Sequence, residues 1–303
     1  MTRAVVFANS TVGARCLAVL LAREVEVPLV VTHTADPNEG AFDSVEASAR
    51  EAGLDVAIPD DPNASAFVER VKRLEPDFLF SFYYRQLLGR ELLQLPRRGA
   101  LNMHGSLLPK YRGRVPVNWA VIRGERETGA TLHYMTERPD AGDIVDRQAV
   151  PILPDDTAFE VMSKVAVAAE IVLQRALPAL IRGDAPRKPQ DPAEASYFGR
   201  RTHDDGRIDW RMPAKAVHDL VRGVAPPYPG AFTLLDGRKL RILRTRMEAA
   251  RTAKHTEPTL YFENGACYID CADGGVLRIL DAECEGLGID RLATSIGMHR
   301  RLT

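Results

Sequence analysis

Arg3–His33 reads RAVVFANSTVGARCLAVLLAREVEVPLVVTH. Its two ends, Ala4–Ala8 (AVVFA) and Pro28–His33 (PLVVTH), are short runs rich in branched apolar residues. Between them, Gly13–Ala22 places apolar residues at helical spacing. Strands this continuously apolar are buried on both faces, so the unit predicts a parallel sheet with helices on either side. Moving outward, Asp55–Pro59, Asp77–Phe82 and Ala100–His104 read as further strands, and Ala64–Leu74 as a helix. Thr131–Met135 and Ile144–Ile152 look like a late hairpin around the turn Pro139–Gly142, and a long helical stretch runs from Ala158 to Ile181. The expected class is α/β, a Rossmann-like parallel sheet with helices on both faces.

Arg182–Ala195 (RGDAPRKPQDPAEA) is rich in proline and charge and has no apolar period, which is the composition of a linker. After it, Ala214–Val224 reads as one helix. Ala231–Leu235, Lys239–Thr245, Ala266–Cys271 and Val276–Ala282 read as short strands separated by Asp-Gly, Asn-Gly and Asp-Gly-Gly turns. The expected division is a catalytic domain over residues 1–190, a linker over 191–203 and a small, mostly β, OB-like domain over 204–303.

At 303 residues a sizeable core is affordable, and 45% hydrophobic and 27% charged residues are ordinary for a globular chain. A formal net charge of -1 argues against a broad basic face for gripping nucleic acid. Cys16, Cys267, Cys271 and Cys284 form no CxxC pair, so reduced structural thiols are expected and metal binding is not. No run of about 18 apolar residues is present and the N-terminus enters a strand directly, so a cytoplasmic protein without direct membrane insertion is expected.

The densest cluster of unusual residues is LNMHGSLLPKYRGRVPVNW, Leu101–Trp119. Asn102 and His104 alternate along a strand, so both side chains leave one face. They sit at the carboxyl end, where open α/β sheets bind ligands. Asp140 lies in the turn RPDAGD. An amide, an imidazole and a carboxylate suit acyl transfer to an amine: the amide N–H stabilises an oxyanion, and the imidazole moves a proton near neutral pH. A carboxylate beside the imidazole raises its pKa and fixes its tautomer. Taken singly, an N-x-H pair is more often polar packing, and an Asp in such a turn is a turn former. Ser106 lacks the G-x-S-x-G elbow of a nucleophile. His33, His133 and His203 read as structural or surface residues.

HGSLLPKYRGRVPVNWAVIRGERETGATLHYM, followed by DAGDIV, resembles the signature of the 10-formyltetrahydrofolate-dependent formyltransferases. The resemblance is closest to the branch acting on UDP-4-amino-4-deoxy-L-arabinose, the formyltransferase half of the bifunctional enzyme of lipid A modification. FSFYYRQLL, LPKYRGRVPVNW, YFGRRTHDDGRIDW (Tyr197–Trp210) and VRGVAPPYPGAF (Val221–Phe232) carry it, and it is weakest from about Glu248 to Glu263. The opening FANSTVG is closer to the aminosugar branch than to the FGTP-type opening of the methionyl-tRNA enzymes.

The resemblance implies an enzyme with 10-formyltetrahydrofolate as co-substrate. It gives Asn102 the oxyanion, His104 the proton transfer and Asp140 the tuning of the histidine. Gln86, Leu87, Leu88, Arg114 and Thr136–Asp140 (Thr136, Glu137, Arg138, Pro139, Asp140) match folate contacts, against readings of core packing for the two leucines and solvated charge for Arg114. The implied acceptor is a nucleotide-linked aminosugar in lipid A or cell-surface glycan modification. The alternatives are another dTDP- or GDP-linked aminosugar, or methionyl-tRNA. The decarboxylase that completes the bifunctional enzyme would belong to a separate partner or a removed segment, and a homo-oligomer is compatible with the sequence.

Overall fold

The computed structural model describes residues 1–34, 42–235, 237–289, 291 and 299–302. Asp236, of the expected Asp-Gly turn, lies outside them. In chain order the first half holds β1 (Arg3–Ala8), α1 (Ser10–Ala22), β2 (Glu26–Val31), α2 (Val45–Glu51), β3 (Val56–Ala57) and α3 (Ser65–Arg73). It continues through β4 (Phe78–Phe82), α4 (Arg90–Gln94), β5 (Gly99–His104), β6 (Arg112–Gly113), α5 (Pro116–Ile122), β7 (Glu127–Tyr134), β8 (Ile144–Pro151) and α6 (Ala158–Arg182). The second half holds β9 (Tyr197–Phe198), α7 (Ala214–Val224), β10 (Ala231–Leu235), β11 (Arg238–Met247), β12 (Thr259–Glu263), β13 (Ala266–Asp270), β14 (Val276–Cys284), β15 (Leu287–Gly288) and β16 (His299–Arg301).

The chain forms two compact units: residues Met1–Pro116, Glu127–Val150 and Met162–Gly199 in the first, and Val117–Arg126, Pro151–Val161 and Arg200–Thr303 in the second. The first is built on a seven-stranded sheet of order β3-β2-β1-β4-β5-β7-β8. β1 and β4 are almost wholly apolar, as strands covered on both faces must be, and β5 adds Asn102 and His104 to an otherwise apolar run. Val5, Phe7, Leu79, Leu88 and Leu92 share one core cluster.

β3 to β5 pair in parallel, as expected, but β7 runs antiparallel to β5, so the sheet is mixed. A parallel neighbour needs a crossover that carries the chain back to the starting edge. Between β5 and β7 the chain passes through β6 and the seven-residue α5 and re-enters the sheet antiparallel to β5. The reversal sets His133 of β7 opposite Asn102 of β5.

The second unit is an antiparallel β half-barrel of order β10-β11-β14-β13-β12-β16, with β15 paired to β14. Irregular register between Ile242 and Thr245 bends β11. Val217, Leu220 and Val221 of α7 join Leu240, Ile242, Leu260 and Ile279 in one core. β12, absent from the sequence expectation, forms a hairpin with β13 around Asn264–Gly265.

Candidate active site

The pleat of β5 turns Asn102 and His104 to one side, and Asp140 reaches them from the connection between β7 and β8. Asp140 has φ 55°, and Gly142 follows where a Cβ would lie 1.9 Å from the Tyr134 carbonyl oxygen. Only glycine lets the connection pass that close to β7. One carboxylate oxygen, Oδ1 of Asp140, lies 3.5 Å from His104 Nδ1, 3.5 Å from Asn102 Nδ2 and 3.6 Å from His133 Nε2. The other, Oδ2, accepts the Gly113 N–H at 2.8 Å. The three residues named from the sequence therefore meet, and His133 joins them.

Two backbone carbonyls set the tautomers. His104 Nε2 stands 2.8 Å from the Tyr111 oxygen, and a carbonyl only accepts, so Nε2 carries a proton and Nδ1 faces Asp140. His133 Nδ1 likewise donates to the Tyr134 oxygen at 2.9 Å, leaving Nε2 of the neutral ring to accept from Asn102 Nδ2 at 3.2 Å. Both rings are buried, His104 at 6% and His133 at 1% exposure. Burial by itself would raise the Asp140 carboxyl. When the rings are protonated, the charge of His104, the hydrogen bond and charge of His133, and the Gly113 N–H outweigh it and hold the group well below the usual carboxylate range.

The loop after β5 is pinned from inside. Thr131 Oγ1 donates to the Ser106 oxygen at 2.6 Å and accepts the Leu108 N–H at 3.2 Å. The Ser106 hydroxyl donates to the Lys110 oxygen at 2.6 Å and is fully buried, so it faces no substrate. Among the described residues, no group of three or more His, Cys, Asp or Glu stands where it could hold a metal ion, and no helix is long and apolar enough to cross a membrane.

A family model described as formyl transferase matches residues 3–177, and a second, described as formyl transferase, C-terminal domain, matches residues 200–288. The chain belongs to the formyl transferase family. Solved structures share its fold. An N-formyltransferase from Helicobacter canadensis, solved with folinic acid and dTDP-3-aminofucose, is 19% identical with a TM-score of 0.74, over 92% of this chain and 99% of its own. A sugar 3N-formyl transferase solved with dTDP and 5-N-formyl-THF is 17% identical with a TM-score of 0.74, over 95% and 99%. A methionyl-tRNA formyltransferase from Clostridium thermocellum is 16% identical with a TM-score of 0.57, over 92% and 99%.

In this formyl transferase the outlying residues named from the sequence differ in what they offer. Leu87 is 66% exposed, beside Gln86, whose Nε2 donates to the Asp60 oxygen at 3.0 Å. Leu88 is buried with Leu92 in one core cluster. Arg114 is exposed and its Nη2 lies 3.5 Å from the Arg85 oxygen. Thr136 Oγ1 donates to the Arg138 oxygen at 2.8 Å, Glu137 pairs with Arg90 at 3.3 Å, and Arg138 lies over the Tyr197 ring; Pro139 is exposed. The sequence signal of His133 is only that it alternates on a strand. Its partner depends on which strand lies alongside, and in which direction.

Proposed function

We propose that this formyl transferase moves the formyl group of 10-formyltetrahydrofolate to the amine of a nucleotide-linked aminosugar, with UDP-4-amino-4-deoxy-L-arabinose as the leading acceptor, in lipid A or cell-surface glycan modification. The observation that carries the chemistry is the convergence of Asn102, His104 and Asp140 on one face of β5. The aminosugar class is supported by the two sugar-active proteins that share the fold, and the choice among sugars by the motif resemblance.

In this reading the acceptor nitrogen attacks the formyl carbon, and the carbonyl electron pair moves onto oxygen. Asn102 has two N–H groups. His133 anchors one at 3.2 Å, while the other stands at a loose 3.5 Å from Asp140 and is free to turn to the oxyanion. His104 takes the amine proton on Nδ1 and returns it to the folate nitrogen as the carbon–nitrogen bond to the donor breaks. Asp140, already anionic, stabilises the imidazolium without itself gaining a proton. The products are the N-formyl sugar and tetrahydrofolate. The exposed Leu87 offers an apolar face for a flat heteroaromatic ring, and the Thr136–Asp140 connection would lie along it.

An acceptor panel tests the assignment: UDP-4-amino-4-deoxy-L-arabinose, several dTDP-aminohexoses, a GDP-aminosugar and methionyl-tRNA, each with 10-formyltetrahydrofolate, scored by product mass. Formylation of the UDP-aminopentose with the highest kcat/KM is expected. A clear preference for methionyl-tRNA would sink the aminosugar reading.

A further inference from the structure

Arg182–Ala195 looks like a linker by composition, yet its second half is woven into the site. Lys188 and Ile144 exchange backbone hydrogen bonds at 2.8 and 3.0 Å, which lays the segment beside β8. Two residues on, Gln190 uses both ends of its amide. Nε2 donates to the carbonyl oxygens of Asp140 at 2.9 Å and Gly142 at 2.7 Å. Oε1 accepts from Nε and Nη2 of Arg112 at 3.1 and 2.7 Å. Arg112 is 3% exposed, and its Nη1 donates to the Tyr197 hydroxyl at 2.9 Å. A side-chain amide offers two donors on one atom and two acceptor sites on the other, so one glutamine ties two chain segments together.

Tyr111, Arg112 and Gly113 are consecutive, and each holds part of the catalytic pair. The Tyr111 carbonyl fixes the His104 ring, the Gly113 N–H holds the Asp140 carboxylate, and Arg112 reaches the Asp140 backbone through Gln190. The imidazole and the carboxylate are thus mounted on one short tripeptide. At 3.5 Å the contact between them is already longer than an ordinary hydrogen bond, so its geometry depends on how this mounting is held.

We propose that Gln190 is a positioning residue for formyl transfer, pinning the Asp140–Gly142 backbone to buried Arg112 and so setting how close the Asp140 carboxylate stands to His104. This rests on the roles given above to His104 and Asp140, and it adds a residue from outside the motif that carries them.

The test uses the full chain with Gln190→Ala and Gln190→Glu, each also combined with Asp140→Asn. The glutamate variant keeps the side-chain volume and an acceptor for Arg112 but loses both N–H donors, which separates pinning from packing. In both variants kcat with the accepted sugar is expected to fall on the order of ten- to a hundredfold, the scale of a displaced catalytic contact. The loss should fall on kcat, with KM for the acceptor within about twofold, because the Gln190 amide bonds to Arg112 and to the Asp140 and Gly142 carbonyls. Neither substitution should slow the Asp140→Asn enzyme further. Full kcat in Gln190→Glu, or losses that multiply with that of Asp140→Asn, overturns the proposal.

A second arm needs no acceptor. The His104 ring resonances, assigned through His104→Gln, are followed through a pH titration in the wild type and in Gln190→Ala, with His218 as a check on folding. The His104 midpoint should move to lower pH as the carboxylate recedes. An unmoved midpoint overturns the positioning role whichever acceptor is used. A moved midpoint with every acceptor inert leaves the role standing, and the failure then belongs to the assigned substrate.

Discussion

His104 carries its proton on Nε2, bound to the Tyr111 carbonyl, and turns Nδ1 toward Asp140. Removing the ring leaves the binding surface in place but no group to move the amine proton. His104→Ala is expected to lower kcat by about 10²- to 10⁴-fold, the usual share of general acid–base catalysis, with 10-formyltetrahydrofolate binding largely kept. Single-turnover kinetics beside equilibrium titration of the donor would separate the two, and near-normal turnover would remove His104 from the mechanism. A different histidine answers to pH through stability. Burial pushes the His218 imidazole below the ordinary value and Arg222 adds to this, against the Pro154 carbonyl, Asp219 and Asp155. Its Nδ1 stands 2.9 Å from the Thr245 hydroxyl. A base with a depressed folded pKa is neutral in both states at high pH. Below about 6.5 the unfolded chain takes up the proton first, so stability falls as pH falls. The urea midpoint should therefore drop between about pH 7.5 and 5.5, and His218→Gln should flatten that slope; parallel slopes would refute the assignment.

At the scale of elements, the two-residue strands matter most. β6 and β9 pair in parallel, and Gly113 sits in that pair at φ 99° with the Phe198 carbonyl oxygen 2.2 Å from where a Cβ would be. The Tyr111 ring stacks on Phe198 at 4.9 Å, and the Tyr111 N–H donates to Ser196 Oγ at 2.9 Å. A methyl at position 113 must push β9 away, and it moves the N–H that holds Asp140. Gly113→Ala is expected to destabilise by about 2 kcal/mol, the scale of a strained backbone position. It should also reduce kcat, as thermal melts and initial rates would report. Unchanged melting with full activity would show that the β6–β9 pair is dispensable. The composition of 182–195 gives no sign that Gln190 bonds to the Asp140 and Gly142 carbonyls, because polar side chains that reach distant backbone leave no period in the sequence.

At the scale of the molecule, the second unit takes two segments from the first half of the chain. Asn118 Nδ2 donates to the Gly223 oxygen at 2.9 Å, and Arg222 donates to the Asp156 oxygen at 3.1 Å while pairing with Asp219 at 2.7 Å. Arg222 and Asp219 are both buried, and a buried charge that loses partners is strongly destabilising. We therefore expect a fragment starting at Asp204 to lack a cooperative melt, although its sequence pattern is that of a self-contained β domain. A dispersed amide spectrum and a Tm matching that of the same unit in the full chain would contradict this.

The sequence by itself determined what depends on near neighbours. Short continuous apolar runs gave the strands from β1 to β5, 3.6-residue spacing gave the helix Ala214–Val224, and strand alternation gave the shared face of Asn102 and His104, because side-chain direction follows from local backbone geometry. The family motif added Asp140 to that pair. Tertiary structure alone decided that β7 runs backward beside β5, that His133 thereby meets Asn102, and that Gln190 grips the Asp140 turn from 50 residues away. Those contacts join residues whose spacing along the chain carries no period, so only the folded path brings their hydrogen-bonding groups within reach.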